Sequence, residues 1–419
     1  MRRRNPSLWS ILNTLKESES FTKEQLISFQ REKLIRLVQH AFDTVPFYRR
    51  ILKQKNWKNG VESDHFEFTD LPVITKDDLI RLNVEFHSET KFSKRFLCET
   101  SGTSGKVLTF FRNEEWDSFN RASIFRGYSW FGVQPWDFNI YFWGYGKRFW
   151  SRIKLRLLDR LVNRYRIFEF DEKAMIKVKE KISKAVFIEG YSSMIYELGK
   201  SLAGEKLDTS NLRMIKGTSE KVFPHYQDVV ESTFGMRIIN EYGAAESGII
   251  AFECPNGNMH INMEGVFIEV EADGELLVTN LESYSFPIIR YKLGDSVRLS
   301  DPEKRCECGR EHPVIEEVNG RVGKVIYGKE NRYPSLKLYY IFKGLYFEHD
   351  IKINYQGYQE EKGVMELRLD RNLTSKEAQL LAEKITEVFK EDLEIIQVFG
   401  KDFRQEQGKL RDFISNFNN

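Results

Sequence analysis

Cys98-Glu99-Thr100-Ser101-Gly102-Thr103-Ser104-Gly105-Lys106 sets two glycines, four hydroxyl side chains and one lysine in nine positions. Glycine removes side-chain bulk and tolerates unusual backbone angles. Hydroxyls and freed backbone N–H groups can surround phosphate oxygens, and lysine adds a compact positive charge. The apolar run Val107-Leu108-Thr109-Phe110-Phe111 follows and reads as a strand. A Walker A loop needs G-x-x-x-x-G-K-[ST] opening into a helix. Here the glycines are too close together, and Val107 stands where the Ser or Thr belongs. The stretch therefore reads as a phosphate loop of another kind, held between two strands. The competing reading is a polar surface hairpin.

Outward from this loop, the bulk numbers describe an ordinary globular protein. A chain of 419 residues is long enough for two or three domains. Its 41% hydrophobic and 30% charged residues fit a packed core with a charged surface. A net charge of +2 gives no support to a general nucleic-acid role. Arg2-Arg3-Arg4 is basic, but no apolar core of signal-peptide kind follows it. No window approaches the roughly 18 uninterrupted apolar residues of a membrane span. Four cysteines in so long a chain argue against a disulfide framework and point to a reducing, cytoplasmic setting.

Aromatic residues crowd the segment from Trp116 to Trp150, with Gly144 and Gly146 opening space beside the rings. Most of these rings read as core; a flat or apolar substrate cavity is the second reading. Leu26, Phe29, Leu34, Leu37, Val38 and Phe42 lie near helical spacing, predicting a helix over about 22–50 that Pro46 ends. Thr75 heads a capped helix and Asp117 to Trp130 another. Strands at 184–188 and 212–215, with a helix between them after Gly190, predict a layered α/β domain. A short strand covers 236–239. Residues 266–270 and 275–279 flank Ala272-Asp273-Gly274 as a hairpin. Hairpin strands at 352–356 and 364–369 with a helix over 374–389 predict a compact α+β unit at the C-terminal end.

Two further constellations carry chemistry. Asn240-Glu241-Tyr242-Gly243-Ala244-Ala245-Glu246 reads as a loop past a strand end, where α/β proteins place ligands. Tyr242 can stack on a base, and Glu246 can hold Mg²⁺ beside phosphates. Phe286-Pro287-Ile288-Ile289-Arg290-Tyr291-Lys292-Leu293-Gly294-Asp295 ends on an acid after a glycine turn, suited to ribose hydroxyls. An N-cap turn and a surface turn are the plain alternatives.

Taken in order, these pieces resemble the adenylate-forming enzymes, and within them the phenylacetate–CoA ligase and CapK-like branch. The resemblance begins at Gln30-Arg31-Glu32-Lys33-Leu34 and Ala41-Phe42-Asp43-Thr44-Val45-Pro46-Phe47-Tyr48. It passes through the loop at 100–106, the run 241–246, Gly274-Glu275-Leu276, the run 287–295 and Gly320-Arg321, and closes at Gly408-Lys409-Leu410-Arg411. It implies an α/β fold: a large multi-layer adenylation domain over 1–321, with β-sheets flanked by helices, and a small mobile α+β lid over 322–419. The implied reaction joins a carboxylate to the α-phosphate of ATP, giving acyl-AMP and pyrophosphate.

The resemblance also assigns roles. Ser101, Gly102, Thr103, Ser104, Gly105 and Lys106 would hold the β- and γ-phosphates. Gly217, Glu220, Glu241, Tyr242 and Gly243 would line the nucleotide pocket, with Tyr242 against adenine. Glu246 would bind Mg²⁺, and Asp295, with Arg321 nearby, would take the ribose hydroxyls. Lys409 would bridge the carboxylate and α-phosphate as charge builds there. Two departures stand out. Ala245 replaces the hydroxyl residue common before the metal-binding Glu, and Arg321-Val322-Gly323-Lys324 lacks the usual hinge acid. The partners implied are a small carboxylic acid and an acyl acceptor, and a homodimer is compatible with them. The acceptor stays open between coenzyme A and an amine, such as an amino sugar in surface polysaccharide synthesis. The complete C-terminal segment favours coenzyme A.

Cys254, His260, Cys306 and Cys308 offer three thiolates and one imidazole, a donor set that satisfies tetrahedral structural zinc. Similar Cys/His sets in some members of the branch favour zinc over three cysteines that never meet. His312 competes with His260 for the fourth position. Cys98 reads as a small residue beside the phosphate loop. A sugar-binding module would leave the loop at 101–106 and Lys409 without a task, and a kinase would need a metal-binding set that is absent here.

Overall fold

The structure is a computed structural model and describes residues 3–54, 68–100, 108–142, 149–167, 172–272, 274–321, 325–400 and 412–415. The chain forms two compact units, Met1–Pro135 with Ile239–Val318, and Trp136–Ile238 with Asn319–Asn419. In chain order, a large mixed α/β part precedes a smaller C-terminal α/β region.

The first unit opens with helices α1 (Leu8–Glu17), α2 (Lys23–Thr44), α3 (Pro46–Gln54), α4 (Lys76–Arg81) and α5 (Asn83–Phe86). Thr22 and Gln25 form a capping box that starts α2, and Thr75 and Asp78 form another that starts α4. Pro46 ends the long helix, as its missing N–H requires, but it also opens α3, because proline suits a first helical turn. Strands β1 (Arg95–Glu99) and β2 (Thr109–Asn113) then pair antiparallel, Glu99 opposite Thr109. The glycine- and hydroxyl-rich loop thus joins two strands. Its residues Ser101, Gly102, Thr103, Ser104, Gly105 and Lys106 lie outside the described residues. Helix α6 (Glu114–Ser129) follows directly. Phe110 stacks on Trp116 (5.4 Å between ring centroids) and on Phe286 (5.3 Å), which fixes β2 and α6 to the core.

The second unit begins with β3 (Asn139–Phe142), α7 (Phe149–Leu161), β4 (Arg164–Arg166), α8 (Glu172–Ile182), β5 (Phe187–Tyr191), α9 (Ser192–Ser201), β6 (Met214–Thr218) and α10 (Pro224–Phe234). Its strands run parallel in the order β6-β5-β3-β4. Every residue of β5 is buried, as expected where helices cover both faces.

The chain then enters antiparallel strands β7 (Ile238–Ala244), β8 (Gly248–Glu253), β9 (Met259–Ile261), β10 (Val266–Val270), β11 (Glu275–Asn280), β12 (Tyr291–Leu299) and β13 (Val314–Arg321), ordered β10-β11-β12-β13-β9-β8-β7. Two sequence expectations change here. The run 240–244 is strand, because β8 returns beside it and pairs Tyr242 with Ala251. Asp295 lies inside β12, and Gly294 (φ 81°) bends that strand instead of ending it.

The C-terminal region holds β14 (Val325–Tyr327), β15 (Arg332–Pro334), α11 (Leu336–His349), β16 (Tyr355–Glu361), β17 (Val364–Leu369), α12 (Ser375–Phe389), β18 (Glu394–Phe399) and β19 (Phe413–Ser415). Its sheet order is β18-β17-β16-β19. Within the second unit, Asn354 ties this region to α10: Tyr226 Oη donates to Asn354 Oδ1 (2.7 Å), and Asn354 Nδ2 donates to Asp370 (2.9 Å). Tyr346 Oη and the Lys352 ammonium both meet Asp228.

Candidate functional site

In the first unit the β7–β8 hairpin carries the run from Glu241 to Glu246. A bulge between Tyr242 and Gly243 shifts the register. A Cβ on Gly243 would stand 2.3 Å from the Gly248 carbonyl oxygen, so only glycine fits. Ser247 Oγ accepts the Ala244 N–H (3.2 Å) and closes the turn. This places the Glu246 carboxylate in a buried position, where Tyr291 Oη donates to Oε1 (3.3 Å). Asn280 Nδ2 holds the Glu246 carbonyl (3.1 Å).

Tyr242 and Asp295 come together although 53 residues separate them: Tyr242 Oη donates to Asp295 Oδ2 (2.8 Å). The β1–β2 hairpin meets the β7–β8 turn. Arg112, on β2, donates to the Ala245 carbonyl (2.7 Å). At the other end of the loop, Thr100 N–H donates to the Leu108 carbonyl (3.0 Å), and the Thr100 hydroxyl accepts from Lys76 (3.1 Å). Cys98 is half-buried on β1, and burial raises its thiol pKa.

Gly217 and Glu220 belong to the second unit. A Cβ on Gly217 would stand 2.5 Å from Ser192 Oγ, so the end of β6 packs directly on the start of α9. The Glu220 carboxylate accepts the Ser193 N–H (3.0 Å), a favourable charge at a helix start. Glu241 pairs across the hairpin with Phe252. Arg321 ends β13, but its side chain lies outside the described residues, as do hinge residues 322–324 and Lys409. Sequence reasoning missed Arg112, Tyr291 and Asn280. Arg112 and Asn280 are ordinary strand residues with no motif of their own, Tyr291 sits in the run 286–295 without an assigned task, and only long-range contact gives each a role.

The cysteine and histidine cluster assembles at the other end of these strands. Cys254 follows β8, and its carbonyl accepts the Gly257 N–H (2.9 Å) in a tight turn with φ 77° at the glycine. Gly309 N–H closes a similar turn on the Cys306 carbonyl (3.1 Å). His260 sits on β9, opposite Phe252 on β8 and Val314 on β13. Ligand atoms of Cys254, His260, Cys306 and Cys308 all lie within 4.8 Å of one another. Cys254 Sγ is 3.7 Å from Cys306 Sγ, and Cys308 Sγ is 3.2 Å from His260 Nε2. His260 Nδ1 donates to the His312 carbonyl (2.9 Å), which leaves Nε2 facing the Cys308 sulfur. Three sulfurs and one oriented imidazole fit zinc.

Burial pushes the Cys254 thiol up to about 12 and His260 down to about 4. A bound cation opposes both protonated forms. Burial also raises Cys308, but N–H donors from Arg310 outweigh it and leave the thiol below its usual value. The choice between the two histidines goes to His260. His312 instead gives Nε2 to Glu264 (2.9 Å), in a buried network with Arg126 and Ser18.

No protein-family model matches the chain. It is 26% identical over 289 residues to Protein CapK of Staphylococcus aureus, a match covering 66% of this chain and 64% of that protein. It is 33% identical over 97 residues to indoleacetate–lysine synthetase of Pseudomonas savastanoi, covering 22% and 24% of the two. Among solved structures, 2-hydroxyisobutyryl-CoA ligase in its postadenylation state superposes with a TM-score of 0.70 at 15% identity, covering 96% of this chain and 92% of that one. ATP-bound MatB from Rhodopseudomonas palustris reaches 0.51 at 16% identity, over 74% and 65%. The chain shares the fold of 2-hydroxyisobutyryl-CoA ligase and is similar in sequence to CapK, of whose length the match spans 64%.

Proposed function

We propose that this protein is an AMP-forming ligase that activates a carboxylic acid with ATP and then transfers the acyl group, with coenzyme A as the acceptor. The observation that carries the reading is the junction of the two hairpins. Arg112 clamps the phosphate-loop strand to the Ala245 carbonyl, one residue from the buried Glu246 carboxylate. A carboxylate oxygen of the acid attacks the α-phosphorus. The bond from that phosphorus to the α,β-bridging oxygen breaks, and pyrophosphate leaves.

Lys106 would neutralise charge on the β- and γ-phosphates and the Thr103 hydroxyl would donate to them, while Tyr242 with Asp295 orients the nucleoside. Glu241 and Gly243 line its pocket. Glu246 would hold Mg²⁺, whose charge offsets that of the phosphates. Lys409 stabilises charge on the reacting oxygens. Cys254, His260, Cys306 and Cys308 would hold a structural zinc. Among the described residues no helix is long and apolar enough to cross a membrane. Four cysteines outside any disulfide, three of them in the proposed zinc site, suit work in a reducing cytoplasm.

The test is exchange of labelled pyrophosphate into ATP, which should appear only with a matched acid. Formation of ADP in place of AMP would refute the reading. A second acceptor has its own support, because one relative is named for joining an acid to lysine. Product mass spectrometry with coenzyme A and with amines separates the two.

A further inference from the structure

Beside Glu246 the structure holds a small cavity lined by α6, the β7–β8 turn and β11. Trp116, Phe119, Asn120, Gly248, Asn262 and Asn280 form most of its wall. The space is about 180 Å³ with its mouth included, but the centre of a water-sized sphere reaches only about 10 Å³ of it. That is room for about one water-sized group. Two glycines create the room. A Cβ on Gly265 would meet the Phe119 ring at 2.4 Å, and a Cβ on Gly248 would stand 3.2 Å from Asn120 Oδ1.

The polar wall is unevenly satisfied. Asn280 Nδ2 is committed to the Glu246 carbonyl, and Asn262 Nδ2 to Ser123 Oγ (3.1 Å) and the Ile249 carbonyl (3.0 Å). In contrast, the buried Trp116 Nε1–H and Asn120 Oδ1 have no hydrogen-bond partner among the described residues. Trp116 is only 1% exposed. The two are four residues apart on α6 and so share one helix face. A buried polar atom without a partner costs free energy, and an unpartnered donor and an unpartnered acceptor on two residues that line one cavity call for a ligand group that is both. A hydroxyl donates once and accepts through its lone pairs, whereas an ammonium only donates and a methyl does neither.

We propose that this cavity receives the hydroxyl of a short hydroxycarboxylic acid, and that Trp116 and Asn120 determine the specificity for it. The inference rests on the proposed adenylation reading, because Ser247 lines the cavity immediately after Glu246. The hydroxyl donates to Asn120 Oδ1 and accepts from Trp116 Nε1–H. The narrow space rejects an aromatic ring or a long chain. The aromatic crowding of the sequence reads differently in this light. The Trp116 ring serves the core through Phe110, while its indole N–H faces a polar task.

The experiment compares pyrophosphate exchange by the full chain on 2-hydroxypropanoate, 3-hydroxypropanoate, propanoate, hexanoate and phenylacetate. At least one hydroxy acid should exceed propanoate in kcat/KM by about 10- to 100-fold, the scale of an unpaired buried polar group. Asn120→Leu and the milder Trp116→Phe should each pull that ratio toward one. Exchange that favours propanoate, hexanoate or phenylacetate overturns the inference and leaves the adenylation reading standing. A ratio unmoved in a folded Trp116→Phe variant also overturns it. If no acid supports exchange, calorimetric binding of the same acids decides. Tighter binding of a hydroxy acid than of propanoate, lost in Asn120→Leu, sustains the inference without adenylation. Equal binding marks the cavity as a water site only.

Discussion

Replacing Arg126 with Met should be among the most damaging single changes in the first unit. The Arg126 side chain is 5% exposed and that of Glu264 1%. The guanidinium Nη1 lies 2.6 Å from Glu264 Oε1, and Nη2 donates to Asn262 Oδ1 (2.8 Å). Burial would raise the Glu264 carboxyl, but Arg126, His312 and Ser18 together hold it well below its ordinary value. Methionine fills much of the arginine volume, so the cavity cost is small. What remains is a buried carboxylate stripped of its cation, which costs about 3–5 kcal/mol. For a unit of this size that is a fall in Tm of roughly 6–20 °C. The network has no slack, since Glu264 Oε2 and Arg126 Nε already lack partners among the described residues. The assay is urea unfolding of wild type, Arg126→Met, Glu264→Gln and the double variant. Removing the charge as well should recover a large part of the loss. A cost below about 1 kcal/mol for Arg126→Met, or strictly additive losses in the double variant, would refute the argument. Metal content gives a second readout, because His312 bonds Glu264 with its ring and His260 with its carbonyl.

Cys306→Ser or Cys308→Ser should lower bound zinc to well below one atom per chain and destabilise the first unit. Elemental analysis of untagged protein checks this, and full zinc retention would count against the ligand set. Lys409→Ala should slow acyl-AMP formation by about 10²-fold or more while leaving ATP binding and transfer from preformed acyl-AMP much less affected. Equal damage to both half-reactions would remove its assigned role. His225 should make the second unit acid-sensitive. Burial lowers it from 6.5 to about 4, against its bond to Asn354 Oδ1. A depressed folded pKa means that the stabilisation is complete above pH 6.5 and is lost as pH falls toward 4. The span is about 3 kcal/mol. Burial raises Asp370 nearby, which opposes this trend at the acid end. Asp228 and Lys352 also face His225 and carry opposite charges. In His225→Gln the slope of stability against pH across 4–6.5 should flatten; an unchanged slope would place the sensitivity elsewhere.

Much of this protein is legible from short range. The caps at Thr22, Thr75 and Thr374 are readable because a cap involves residues only three apart. The strands around 101–106 and the hairpin at 266–280 follow from apolar runs broken by turn residues. The sequence singled out Cys254, His260, Cys306 and Cys308 by donor chemistry and Tyr242 and Asp295 by their ordered motifs, and the structure brings each group together. Register was not legible. Residues 240–244 read as a loop because their partner strand was invisible until β8 folded back beside them. His260 and His312 were equivalent on spacing. Pairing of β9 with β8 and β13 sets His260 among the sulfurs, while the ring of His312 goes to a carboxylate 48 residues away. Arg112 and Asn120 carry no local signal, and for Tyr291 and Trp116 the run 286–295 and the aromatic crowding gave no role. Amino-acid sequence by itself determined which chemical groups are present and most of the helices and hairpins, since those depend on neighbours along the chain. Tertiary structure alone decided which donors and acceptors meet and which stay unpaired, because those depend on groups brought together from distant parts of the chain.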